Sequence, residues 1–171
     1  MAERAHPAAW DAARLLAECD SRRQRRSGPG GQHRNKVATA VVITHRPTAI
    51  RGEASERRSQ EENRSAALFR LRLNLARQLR CPLDLDADRP SETWRRRCRG
   101  GRLEIRAAHD DFPSLLAEAL DVLTACNLEI RQAARWLGCT PSQLIRFLQR
   151  EPRAFAQLNA ARRNRGLRPL R

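Results

Sequence analysis

The run Ser27-Gly28-Pro29-Gly30-Gly31-Gln32-His33-Arg34-Asn35-Lys36 is where residue types and spacing point to chemistry. Three glycines and a proline fill positions 28–31. Glycine allows backbone angles that a Cβ forbids and lets the main chain approach another molecule closely. Pro29 stiffens the centre, so the stretch reads as a slim finger that offers main-chain amides and the Gln32 side chain. It holds no carboxylate, no cysteine and no Ser/His/Asp grouping, so the usual side-chain acids, bases and nucleophiles are missing. A P-loop would need G-x-x-x-x-G-K-[ST] and a dinucleotide loop G-x-G-x-x-G after a strand, and neither template fits. A glycine-rich turn alone does not specify a reaction.

The flanking elements must hold this finger. Residues 7–18 (PAAWDAARLLAE) predict a short helix started by Pro7, with Trp10, Ala13, Leu16 and Ala17 near one face. Residues 19–26 (CDSRRQRR) fit either a charged edge strand or a basic approach to the loop. After the loop, residues 38–46 carry Val41, Val42 and Ile43 and predict a strand. Pro47-Thr48-Ala49 predicts a turn, and residues 50–54 a short returning strand. The period then changes from 2 to 3.6. Ser59 and Glu62 have capping-box spacing. Leu68, Leu71, Leu75 and Leu79 form an apolar stripe, with Phe69, Leu73 and Ala76 beside it, on a helix ending near Arg80.

Taken together, R-S-G-P-G-G-Q-H-x-N-K, the V-V-I-T-H-x-P-T strand and R-S-Q-x-x-N on a helix resemble the catalytic domain of class I peptide-chain release factors. They resemble equally the short, codon-independent ribosome-rescue peptidyl-tRNA hydrolases. The likeness covers roughly residues 20–76 and runs through Arg26, Ser27, Gly28, Gly30, Gly31, Gln32, His33, Asn35 and Lys36. It continues through Thr44, His45, Pro47, Thr48, Ile50, Arg58, Ser59, Gln60 and Asn63. It implies that Gly30, Gly31 and Gln32 enter the peptidyl-transferase centre and trigger hydrolysis of the ester between nascent peptide and P-site tRNA. An amide at such a tip can stabilise charge on a tetrahedral intermediate or the leaving 3′-oxygen. Gln32 can position water, and RNA groups would share the chemistry. Gln32 is also a candidate for the N5-methylation common in the family. Arg22, Arg23, Arg25, Arg26 and Arg34 flank the tip and are expected to touch rRNA, while His33 and Lys36 are expected to steady the loop or touch RNA and not to transfer protons. Ala49 departs from the family's usual glycine, which puts the turn geometry in question.

Only about 20 residues precede the likeness, and no stop-codon tripeptide reader is evident, so codon-independent rescue is the expectation. Charge agrees with an RNA partner. The chain carries 34 basic and 19 acidic side chains, a net +15, and Lys36 is its only lysine. Residues 1–75 hold 15 basic against 8 acidic side chains and residues 76–171 hold 19 against 11, so both halves are basic. A nucleic-acid surface or a merely solvated arginine surface would give these counts. The C-terminal end adds Arg162, Arg163, Arg165 and Arg168 as expected RNA contacts, and in short family members a basic tail lies in the empty mRNA channel.

Five cysteines lack close C-x-x-C spacing and four histidines are scattered, so neither a metal site nor a disulfide frame is expected. No cofactor, signal segment or membrane span is expected, and a monomeric cytoplasmic protein fits. The predicted fold is α+β, a small sheet on one long helix with the projecting loop, then a helical C-terminal region. Domains are expected at 1–80 (catalytic), 81–112 (connector, with a possible strand at 103–105) and 113–171 (helices and basic tail). Within 128–150, Ala133, Ala134, Gly138, Leu137, Leu144, Ile145 and Leu148 have helix-turn-helix spacing, as a packing unit or a groove reader. The rival function is therefore a non-catalytic RNA- or DNA-binding regulator using that segment.

Overall fold

The computed structural model describes residues 6–24 and 40–171. The chain is α+β and divides into two compact units, Met1–Gln78 and Leu79–Arg171.

The first unit is a three-stranded antiparallel sheet with one helix across it. A 3-10 turn (Pro7–Ala9) and helix α1 (Ala12–Ala17) precede strands β1 (Cys19–Gln24), β2 (Ala40–His45) and β3 (Arg51–Ala54), and helix α2 spans Gln60–Gln78. The strand order is β1-β2-β3. The single helix expected over 7–18 is broken, because Trp10 and Asp11 are extended (ψ 152° and 161°). Asp11 caps α1 instead, its carboxylate accepting from the Arg14 amide at 2.8 Å. A carboxylate cap satisfies an amide that a continuous helix would bond internally. The α1 residue that reaches the core is Leu15, while Ala13 and Ala17 are exposed.

Alternation along β2 sends Val41, Ile43 and His45 inward and leaves Val42 and Thr44 half-exposed. On α2 the line of deepest burial is Asn63, Ala67, Leu71 and Leu75, four residues apart; Leu68, expected in the stripe, is only half-buried. Ala67 lies in that line because β3 passes very close to the helix. A Cβ on Gly52 would lie 2.1 Å from the Ala67 carbonyl oxygen and 2.3 Å from the Leu71 nitrogen. Only glycine fits there.

The second unit is mostly helical. Helix α3 (Glu92–Arg97) runs into a hairpin of β4 (Cys98–Arg99) and β5 (Arg102–Leu103), followed by α4 (Phe112–Ala125), α5 (Ile130–Trp136), α6 (Pro141–Gln149) and α7 (Pro152–Asn164). The stretch read as a connector thus contains secondary structure. Trp94, 1% exposed, meets Phe147 edge-on at 5.8 Å, and Phe112 lies 5.2 Å from the same Phe147 ring. The Trp94 indole N–H donates to the Leu137 carbonyl at 2.7 Å. Residues 137–140 join α5 to α6, with Gly138 at φ 69° and Thr140 capping α6. Trp136, half-buried, donates to the Leu85 carbonyl at 2.9 Å.

The basic end is not a plain tail. Helix α7 continues through Asn164, and the last residues fold back on it. Asn159 accepts from the Leu170 amide at 2.8 Å and donates to its carbonyl at 3.2 Å.

Candidate functional site

Strands β1 and β2 pair from Cys19↔His45 to Gln24↔Ala40, so residues 25–39 are attached to the sheet at two directly opposed positions. Eight of the expected site residues, Arg25, Arg26, Gly30, Gly31, Gln32, His33, Arg34 and Lys36, lie outside the described residues. The described structure reveals the base on which they are mounted.

Opposed pairs share a face of an antiparallel ladder. Arg23 lies opposite Val41 and so belongs to the helix-covered face, whereas Arg22, opposite Val42, belongs to the open face. Both side chains are exposed. Gln60, at the start of α2, accepts from the Arg23 Nε at 2.7 Å and Nη2 at 3.2 Å when its amide oxygen faces the guanidinium. In that orientation Gln60 ties Arg23 to the helix, while Arg22 belongs to the opposite face of the sheet.

The remaining motif residues hold this base together. His45 is 2% exposed, and its Nδ1 shares a 2.8 Å hydrogen bond with Thr48 Oγ1. Its Nε2 lies 3.5 Å from a Glu18 carboxylate oxygen, and Trp10 meets the ring edge-on at 6.3 Å. The His45 amide donates to Ile50 at 2.9 Å, closing the β2–β3 turn. At the top of that turn Ala49 has φ 56°, the left-handed region where glycine is at ease. The backbone thus keeps a glycine-like turn despite the alanine.

Asn63 is fully buried in α2. Its side chain accepts from the Arg57 amide and donates to the Arg57 carbonyl, both at 2.9 Å. Ser59 accepts from the Glu62 amide at 3.3 Å, the serine half of the expected capping box. Asn63 and Ser59 together fix the approach from β3 into α2.

Arginine–carbonyl bonds add further ties. Arg46 donates to Ala17 at 2.6 Å and Cys19 at 3.0 Å, Arg70 to Glu53 at 2.7 Å, and Arg72 to Trp10 at 2.6 Å. A cavity of about 40 Å³ beside Ala40, Glu53, Ala54 and Arg70 has room for a water, not for a nucleotide ester.

The four C-terminal arginines separate into two kinds. Arg163, Arg165 and Arg168 are exposed. Arg162, also expected to touch RNA, is 6% exposed and serves the fold instead. Its Nε donates to the Arg168 carbonyl at 2.9 Å, and its Nη1 donates to the Leu128 carbonyl. Leu128 has φ 65°, so this guanidinium secures a strained turn between α4 and α5. Sequence reasoning missed this because α7 was read only as a charged tail. The four-residue spacing of Ala154, Leu158 and Arg162 was the available signal.

Two acids in α4 are drawn from water to different degrees, Asp121 buried and Glu118 half-buried. Burial pushes the Asp121 carboxyl up to about 7, against the lowering effects of the Cys81 amide hydrogen bond and Arg80. Burial likewise raises Glu118, which accepts from the Ser91 amide at 2.7 Å and its hydroxyl at 2.6 Å. Both acids tie the segment before α3 to α4. No helix among the described residues is long and apolar enough to cross a membrane.

Peptide chain release factor 1 of Acidiphilium cryptum (strain JF-5) is 52% identical over 56 residues, which is 33% of this chain and 16% of that protein. Peptide chain release factor 1 of Streptococcus sanguinis (strain SK36) is 52% identical over 50 residues, 29% of this chain and 14% of that protein. The matched part is thus a small share of those relatives' length. No solved structure matches. The family model of the RF-1 domain matches residues 17–106, reaching past α2 through the β4–β5 hairpin. With more than half of its residues in that match, the chain belongs to the RF-1 domain family, the catalytic domain of class I release factors.

Proposed function

We propose that this protein hydrolyses the ester of P-site peptidyl-tRNA on the ribosome, as a codon-independent factor that rescues stalled complexes. One observation carries the reading: the family match spans a Gly30-Gly31-Gln32 segment hung between two strands paired to their ends. A rigid two-strand base can deliver a thin segment into a narrow RNA chamber. Main-chain amides there stabilise the developing oxyanion, Gln32 orients the attacking water, and the ribosome supplies the rest.

Residues 1–80 are the catalytic part in this reading. Arg22, Arg23, Arg25, Arg26, His33, Arg34 and Lys36 contact large-subunit rRNA around the tip. In the helical region Arg163, Arg165 and Arg168 provide a second, weaker RNA contact that raises avidity. Entry of the C-terminus into an mRNA channel as an extended tail requires the Asn159–Leu170 hydrogen bonds to open.

Release of labelled peptide from ribosomes carrying P-site peptidyl-tRNA tests the reading. Gln32→Ala is expected to slow release by about 10²–10³-fold while ribosome binding persists. Complexes with and without a stop codon in the A site are expected to release at similar rates. Unchanged release by Gln32→Ala overturns the role of the tip, and release confined to stop codons overturns codon independence.

A further inference from the structure

In the second unit the β4–β5 hairpin lies beside the α5–turn–α6 pair. Two hydrogen bonds hold it there, and Gly101 comes close to Thr140. The Cys98 thiol donates to the Gly138 carbonyl at 3.6 Å, and a Cβ on Gly101 would lie 3.9 Å from Thr140 Cγ2. Just after the hairpin, the Ile105 carbonyl accepts from the Arg150 guanidinium at the end of α6. The hairpin tip therefore stands next to the first turn of α6.

What the hairpin presents is unusual. Arg99 and Arg102 are directly opposed, joined by Gly100 and Gly101 at φ 55° and 76°. Leu103 faces inward and is buried, so Arg99 and Arg102 point outward, where both are exposed. Like charges directly opposite one another destabilise a ladder. No carboxylate relieves this pair: among the described residues Arg99, Arg102 and the exposed Arg146 of α6 have no ion-pair partner. Neighbouring Arg96 and Arg97 differ, for both are engaged by Asp111, at 3.3 and 2.8 Å. The fold thus neutralises one arginine pair and leaves the next one bare at the tip of a stiff two-residue turn. The unit as a whole, residues 79–171, carries eighteen arginines against eleven acidic residues.

We infer that the hairpin tip and the exposed side of α6 form a docking surface for the sugar-phosphate backbone of an RNA double helix, with Arg99, Arg102 and Arg146 as its phosphate ligands. Arginine's planar fork suits phosphate oxygens. The surface offers little for reading bases: the first turn of α6 exposes Pro141 and Ser142, while Gln143 is half-buried. Such a surface suits A-form RNA, whose deep major groove excludes a helix and whose backbone is the accessible feature. The preference for RNA over DNA rests on the ribosomal reading above; the phosphate-binding surface itself does not.

The test uses the full chain and fluorescein-labelled duplexes two helical turns long, one RNA and one DNA of the same sequence, titrated by anisotropy over a range of salt. Wild type is expected to bind the RNA duplex at least as tightly as the DNA duplex and with little regard to sequence. Arg99→Ala/Arg102→Ala/Arg146→Ala is expected to weaken RNA binding about tenfold or more and to reduce the slope of log K against log salt by about 2 to 3. The corresponding triple lysine variant should keep most of that slope, which separates lost charge from lost fold. A charge-matched control, Arg57→Ala/Arg58→Ala/Arg64→Ala in the first unit, should change it less. An unchanged slope in the alanine variant, an equal loss in the control, or no RNA binding by wild type overturns the docking surface. Tight, sequence-dependent binding to DNA alone overturns the RNA assignment. Gln32→Ala leaves duplex binding intact, so failure of the release reading and failure of this surface are told apart.

Discussion

The two units are held together by different means. In the first, where the sheet is short and β3 must pass close to α2, arginines tie the elements together through backbone carbonyls. Arg46, Arg70 and Arg72 reach Ala17, Cys19, Glu53 and Trp10 across the unit. In the second, an aromatic cluster of Trp94, Phe112 and Phe147 supplies the cohesion, and several arginines remain free at the surface. Arg150 and Arg162 also act as ties there, Arg150 on the Ile105 carbonyl and Arg162, buried, on those of Leu128 and Arg168. One basic composition therefore serves both as ties between elements and as exposed charge. Net charge cannot tell these uses apart, because it counts guanidinium groups without their partners.

Four changes test this contrast, from the largest expected effect to the smallest. Phe147→Ala removes the ring shared by Trp94 and Phe112 and should destabilise the second unit by about 3–5 kcal/mol. Amide exchange should show that loss in residues 79–171. Protection falling equally throughout the chain would mean the units do not act as separate cores. Gly52→Ala should cost about 3 kcal/mol in the first unit, since the new methyl group meets helix backbone, which cannot turn aside. A melting temperature unchanged by this variant would show that β3 does not press on α2.

The third change concerns pH. Asp121 is raised from its ordinary 3.8 to about 7 in the folded protein, so the native state holds a proton that the unfolded chain has released. The stabilisation is complete below about pH 4 and is lost as pH rises to about 7. Glu118, also raised by burial, acts in the same direction. Asp121→Asn should flatten most of the decline in denaturant midpoint over that window, and an unchanged decline would place its origin elsewhere. Smallest of all, Ala49→Gly should stabilise the first unit by less than about 1 kcal/mol by relieving φ 56°, offset in part by unfolded-state entropy. Destabilisation would show that the alanine methyl contributes packing that outweighs the strained angle.

Much of the fold was legible because its signals are local. Val41, Val42 and Ile43 announce a strand, Ser59 a helix start, and Gly138 the turn between α5 and α6, each within a few residues of the feature it produces. The motif order also pointed to the Gly-Gly-Gln segment and its family. The sequence could not show which residues of the motif hold the fold together. His45 and Asn63 stand in the motif beside Gln32, yet they clamp the β2–β3 turn and the entry into α2. The break between Pro7 and Ala17 was hidden for a related reason. Helical spacing is compatible with an extended Trp10, and only its packing beside His45 and the Asp11 cap decide the matter.

By itself, then, the sequence determined the order of elements, the faces they could bury and the presence of a Gly30-Gly31-Gln32 run in a basic chain. Tertiary structure alone decided that Gly52 meets a helix backbone, that Arg162 is sealed against Leu128, and that Arg99 and Arg102 stand bare beside α6. The physical reason is range. Periodicity and capping act over a few residues, whereas the environment of a guanidinium or a Cβ is set by whichever distant segment arrives beside it.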